Sequence, residues 1–160
     1  MDLAALDAAE AWAERAELAR RRVHADLLRA ALEVHEVYEQ AGWGLSAGAH
    51  LAVLWSCSEW RAQRLLAEAR QLSVLPGGLA AVEDGLLGVE QSQVLVEVLR
   101  PLDDPVAELL WVRLVERLRG DRERGVGRPP ARVRELLQRW ALQADPAGAT
   151  ERQRAAEAGG

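Results

Sequence analysis

The sequence predicts an all-α fold, with a long N-terminal helix, a helix-turn-helix core and supporting helices. Two observations carry that expectation. Apolar residues recur at steps of three and four nearly everywhere, and no segment alternates as a strand does. Helix punctuation also recurs, with serines ahead of apolar runs, Asp-Pro pairs, and glycines after helical stretches.

The first helix is expected from about Leu3 to Gln40. Its seam runs through Ala5, Ala9, Trp12, Ala16, Ala19, Val23, Leu27, Ala30, Val34, Val37 and Ala41, which share one face. At 1.5 Å per residue such a helix is ~57 Å long, more than one small domain can cover. Its first half therefore breaks, packs on a partner or projects. Ala41-Gly42 offers a glycine C-cap, and Gly42-Trp43-Gly44-Leu45 reads as a turn.

Ser46 is placed to N-cap a short helix from Ala47 to Leu54, Trp55-Ser56-Cys57 is a tight connection, and Ser58 is placed to N-cap a helix from Glu59 to about Leu72. Leu75-Pro76-Gly77-Gly78 breaks the chain. Short helices follow at Leu79–Glu83 and from Val89 to about Arg100. Asp104-Pro105 opens another helix, expected to stop at Gly120. Residues 120–128 form a charged, glycine-rich loop. Pro129-Pro130 starts a helix that Asp145-Pro146 ends, and the small, charged residues after it are expected to fray. The organisation is thus a long helix at 1–41, a helical core at 42–145 with a helix-turn-helix at 47–69, and a tail at 146–160.

The 160 residues suit one domain with a tail, and 49% apolar with 28% charged residues is a globular composition. Lys, Asn, Ile and Phe are absent, all with AT-rich codons, which suggests a GC-rich genome. The missing Lys excludes a P-loop lysine and a Schiff base. A single cysteine, Cys57, excludes an internal disulfide and a cysteine-rich zinc site, and fits a reducing cytoplasm. No apolar run suggests a membrane span, and no basic leader precedes the first helix. The formal net charge of −5 is uneven: residues 1–40 carry −4, 41–100 carry −2 and 101–160 carry +1. That excludes a uniformly basic nucleic-acid binder and leaves room for a local basic face.

The most informative stretch is 47–69. On its second helix Ala62, Leu65, Leu66 and Ala69 form the packing stripe. Trp60 and Arg64 lie opposite, with Arg61 and Gln63 on the flanks. A helix-turn-helix packs its second helix by one stripe and offers the other face to the major groove. There Arg pairs with guanine and Gln with adenine, while Ser58 and nearby amides suit a phosphate at the helix start. The competing reading is an ordinary bihelical corner, with Glu59 and Glu68 offsetting the arginines and Trp60 packed on the first helix.

An ordered set of residues resembles a known family. Leu51-Ala52, Leu54, Ser58, Ala62, Leu65, Ala69, Leu72, Leu75-Pro76, Leu79, Gly85, Leu87, Gln91, Leu95 and Leu102 follow its spacing. So do Pro130-Ala131-Arg132-Val133-Arg134, and Ala144-Asp145-Pro146 with Glu151-Arg152. The set is similar to the actinobacterial domain of unknown function 222, the thirteen-E-twelve repeat domain, typically found in front of HNH endonuclease domains. The likeness covers about residues 20–157. Leu-Pro followed by Gly-x-Leu also echoes chromosome-partition proteins, an analogy that favours DNA binding. Trp55-Ser56 stands where the family has a leucine-glycine type of turn. The resemblance implies a front part without the nuclease part, since an HNH site needs a histidine cluster and an asparagine.

Other signals have plainer explanations. Gly44-Leu45-Ser46-Ala47-Gly48 matches a nucleophile elbow but follows a helix rather than a strand, so turn glycines around a capping serine explain it better. His35-Glu36-Val37-Tyr38-Glu39 lacks the last histidine of a zinc motif and reads as a helical side-chain pair between His35 and Glu39. His24 and His50 are lone histidines, and Asp103-Asp104 reads as capping chemistry. Arg20-Arg21-Arg22 reads as an ion-paired face beside Glu17 and Asp26. Arg119, Arg122, Arg124 and Arg128 form the most basic stretch, suited to phosphate contact without sequence reading.

The expectation is a non-catalytic, cytoplasmic module without cofactor or metal. It associates with double-stranded DNA through Ser58, Trp60, Arg61, Gln63 and Arg64. The alternative is a helical interaction module in which residues 5–19 pair with a second copy as a coiled coil, a homodimer with no DNA.

Overall fold

The computed structural model describes residues 1–43 and 46–159, with the side chain of Ala149 left aside. Gly44 and Leu45, which complete the expected turn and the elbow-like motif, lie outside the described residues, as does Gly160. The described residues form eight helices and no strand. They are α1 (Leu3–Ala41), α2 (Ala47–Leu54), α3 (Glu59–Val74), α4 (Gly78–Glu83), α5 (Val89–Leu99), α6 (Asp104–Glu123), α7 (Pro130–Ala144) and α8 (Pro146–Gly159). None is long and apolar enough to cross a membrane.

Side-chain caps form at α1 and α3, and glycine turns end or start helices elsewhere. Asp2 caps α1 by accepting from the Ala5 amide. Gly42 ends it in the left-handed region at φ +64°, with the Trp43 amide bonded back to the Tyr38 carbonyl. Gly77 adopts φ +68° after Pro76 and turns the chain into α4. A side chain at the next residue, Gly78, would place Cβ 2.3 Å from the Leu72 carbonyl oxygen, so only glycine lets α4 approach α3 this closely.

α3 is central and packs against α1, α2, α4 and α5; α5 then packs on α7, which also holds α6 and α8. The core is formed by Leu28 of α1, Leu72 of α3, Leu95 of α5, Trp111 and Leu114 of α6, and Leu137 of α7, all fully buried. Such burial stabilises by ~1.5–3 kcal/mol for each large side chain. The Trp111 indole N–H donates to the Pro76 carbonyl at 2.7 Å, which ties α6 to the turn after α3.

Several expectations are corrected. The buried face of α1 is not the expected seam. It runs through His24, Ala25, Leu28, Ala31 and Tyr38, while Val23 and Val37 are exposed. Two polar side chains on that face, His24 and Tyr38, are buried because each finds a polar partner, and the alanines of the seam offer too little area to compete. The first half of α1 projects: of residues 3–16 only Ala11 is even half-buried. Asp103, not Asp104, occupies the cap position of α6, with Pro105 in the first turn. α6 also runs through Gly120 to Glu123, because one glycine costs a helix only ~1 kcal/mol and Asp121 on its buried side anchors two arginines. The stretch expected to fray is α8. Asp145, which ends α7, accepts from the Gly148 amide at 2.9 Å and pairs with Arg152 at 3.6 Å, so the same Asp-Pro that stops one helix starts the next.

Candidate functional site

α2 and α3 form the expected bihelical corner. The link is a tight turn in which the Cys57 amide bonds to the Ala52 carbonyl at 3.0 Å and Ser56 takes φ +50°. Ser58 caps α3 by accepting from the Arg61 amide at 3.2 Å. Ala62, Leu66 and Ala69 are buried and Leu65 is half-buried, so the packing stripe lies where the periodicity puts it.

The opposite face is open. Trp60 is 67% exposed and does not pack into the body of the chain. The Arg64 guanidinium lies over its ring, 4.9 Å from the centroid, which preorganises both side chains. Arg64 also reaches Glu97 of α5 at 3.7 Å. Trp60, Arg61 and Arg64 line a groove of about 350 Å³ between α1, α3 and α5. Arg20 and Arg100 also line it, with the carboxylates of Glu68 and Glu97, and Arg20 is itself bound to Glu17 and Glu90. Among the described residues Arg61 and Arg100 have no carboxylate within ion-pairing distance.

Gln63 stands apart from this group. Its amide donates to the Ser46 hydroxyl at 2.7 Å, and its side chain lies across Gly48, where a Cβ would come within 2.3 Å of it. Gln63 thus clamps α3 to the start of α2, and Ser46 makes no side-chain cap of its own. Ser58, Trp60, Arg61 and Arg64 are brought together at the start of α3, and Gln63 is held to one side.

The floor of the groove carries a buried polar trio that periodicity does not show. His24 Nε2 lies 2.8 Å from Glu68 Oε1, and the Ser92 hydroxyl donates to the same oxygen at 2.6 Å. All three are buried, and they join α1, α3 and α5. Glu68 therefore does not offset the surface arginines. Ser92 is bonded to the carboxylate and not to the imidazole, so the trio lacks the serine–histidine contact of a nucleophile relay.

The other basic and histidine clusters resolve into particular contacts. Arg20 pairs with Glu17 at 3.3 Å and with Glu90 of α5, and Arg21 donates to the Gly85 carbonyl at 2.8 Å, so this run clasps α1 to the α4–α5 turn. Arg124 and Arg128 both bind buried Asp121, at 2.8 Å and 2.6 Å, and Arg122 donates to the Asp84 carbonyl. The stretch expected to touch phosphates is thus largely engaged within the fold. His35 and Glu39 form a helical pair at 3.9 Å. Tyr38 bonds His50 Nδ1 at 2.5 Å, beneath an edge-on Trp43 ring.

A second basic face lies between α6 and α7. Arg113 stacks on the Trp140 ring at 4.4 Å and Arg117 lies 5.9 Å from it. With Arg128, Arg132 and Arg139 they line an open depression of about 400 Å³, in which Glu135 is the one acidic side chain among the lining residues. The i, i+4 spacing of Arg113 and Arg117 and the i, i+7 spacing of Arg132 and Arg139 mark each stripe in the sequence. That the two stripes face each other is a tertiary fact.

No family model, curated protein or solved structure matches this chain.

Proposed function

We propose that the chain is a non-catalytic, DNA-associating helical module that meets duplex DNA with the outer face of α3. The observation that carries this reading is the open Trp60–Arg61–Arg64 face at the start of the second helix of a bihelical corner. A helix presented this way suits a major groove, and Arg100 on flanking α5, which has no carboxylate partner among the described residues, suits a phosphate beside it. Gln63, bound to Ser46, is left out of the contact set, and Ser58 contributes the helix start. The sequence likeness to the thirteen-E-twelve repeat domain, and through it to the front part of HNH-endonuclease-type proteins, favours the same reading and a place in the cytoplasm. The test is a titration of a labelled duplex at low salt with the wild type and Arg61→Ala/Arg64→Ala. Binding by the wild type, weakened at least about tenfold in the variant, supports the reading; unchanged affinity rejects it.

A second reading rests on a different observation. Leu3, Leu6 and Leu18 are exposed on one side of the projecting half of α1 and Trp12 on the other, apolar side chains that suit a homodimer. Sedimentation at tens of micromolar tests it, and a monomer there rejects it.

A further inference from the structure

The projecting half of α1 and the α6–α7 face are complementary in charge, and each carries side chains with no ion-pair partner among the described residues, although Arg128 and Arg132 of the second face are bound to Asp121 and Glu135. Between Asp2 and Glu17 the chain carries five acidic residues and one arginine. Asp7, Glu10, Glu14 and Glu17 fall at steps of three and four, so they form one stripe along the arm. Leu3 and Leu6 flank that stripe, while Trp12 lies on the opposite side of the helix. Glu17 is bound to Arg20 and Arg21, whereas Asp7, Glu10 and Glu14 have no ion-pair partner among the described residues.

The α6–α7 face has the opposite character. Arg113, Arg117 and Arg139 are exposed and have no carboxylate within ion-pairing distance among the described residues. Exposed Leu109, Val112 and Leu142 lie on the same two helices. Trp140 holds Arg113 in a stacked position, so part of the ordering needed for binding is already made.

We propose that in solution the acidic stripe of α1 docks on the α6–α7 arginine face of a second copy of this chain, reciprocally, as a two-fold dimer. Residues 3–16, Ala11 apart, are exposed on an unbroken helix and fill no part of that face in their own chain, so the complementary partner is another molecule. Reciprocity closes the assembly, since each arm reaches the other's face and no site is left to extend a chain of copies. Two copies of net charge −5 repel at long range, but beyond a Debye length of about 8 Å at physiological salt that repulsion is screened, and the local stripes of opposite sign decide the close contact. The proposal rests on the dimer reading of α1 and narrows it: the acidic stripe carries the contact, not the alanine seam.

The experiment is a charge exchange read by analytical ultracentrifugation at low salt. One variant is Glu10→Arg/Glu14→Arg, the other Arg117→Glu/Arg139→Glu. All four positions are exposed and helical, so neither variant threatens the fold, and circular dichroism checks that. Each variant alone is expected to weaken dimerisation at least about 100-fold, because each dimer then meets like charge at both contacts. Mixed one to one, they are expected to recover a heterodimer within about tenfold of the wild-type affinity, since both contacts are again complementary. A wild type that stays monomeric at tens of micromolar overturns the proposal. So does a dimer that both variants retain but Ala9→Glu/Ala16→Glu abolishes, which assigns the contact to the seam. So does a failure of Arg117→Glu/Arg139→Glu to bind duplex DNA with no change of oligomeric state. The DNA reading of α3 stands or falls separately, on Arg61 and Arg64.

Discussion

His24 and Glu68, 44 residues apart, meet at 2.8 Å in a buried contact that Ser92 completes from a third helix. The contact fixes α1 and α5 on either side of α3, and so sets the groove above it.

Removing one member leaves a buried polar group without its partner. His24→Ala is expected to destabilise the fold by about 3 kcal/mol, while His24→Leu/Glu68→Leu/Ser92→Ala stays within about 1 kcal/mol of the wild type. Urea unfolding measures both. A single variant as stable as the wild type contradicts the account of the trio.

Ser56 holds φ +50° in the α2–α3 turn, where a side chain is disfavoured. Ser56→Gly is expected to stabilise by about 0.5 kcal/mol, the relief of left-handed strain exceeding the added chain entropy. A lower thermal midpoint in the variant counts against a strained turn.

Gly78→Ala is expected to destabilise by about 1–3 kcal/mol, because the new methyl group meets the Leu72 carbonyl and a backbone cannot step aside as a side chain can. Denaturant unfolding checks it.

The Arg128 hydrogen bonds, helped by Arg124, hold the buried Asp121 carboxyl below the usual carboxylate range. A depressed folded-state value means that its stabilisation is present above the unfolded carboxylate value, near pH 4. It is lost as pH falls through the folded value. Asp121→Asn is therefore expected to lower stability at pH 7 and to flatten its decline below about pH 4. Equal acid profiles for the two proteins contradict this.

The helices up to α7 and most of their ends are legible in the sequence because they depend on local chemistry, whereas α8 is not. Ser58, Gly42 and Pro130 act within a turn of their own position, and the Ala62–Leu65–Leu66–Ala69 stripe needs only helical spacing. The buried face of α1 is not legible, because burial there follows Glu68 and His50, which bond His24 and Tyr38 from other helices. Gln63 departs from expectation for a similar reason. Its position on α3 allows a base contact, but Gly48 leaves a path to Ser46. The α6–α7 basic face joins stripes from two helices, and neither stripe alone shows that a depression lies between them.

The most direct test of the central claim is the salt dependence of duplex binding by the α3 face. Removing an arginine that touches a phosphate should reduce the slope of log K against log salt by about 0.9. The account predicts that the wild type binds duplex DNA with a negative slope, that Arg100→Ala binds more weakly with a slope shallower by about one such step, and that Arg61→Ala/Arg64→Ala binds more weakly throughout. No duplex binding by the wild type at low salt, or wild-type affinity in Arg61→Ala/Arg64→Ala, would contradict it.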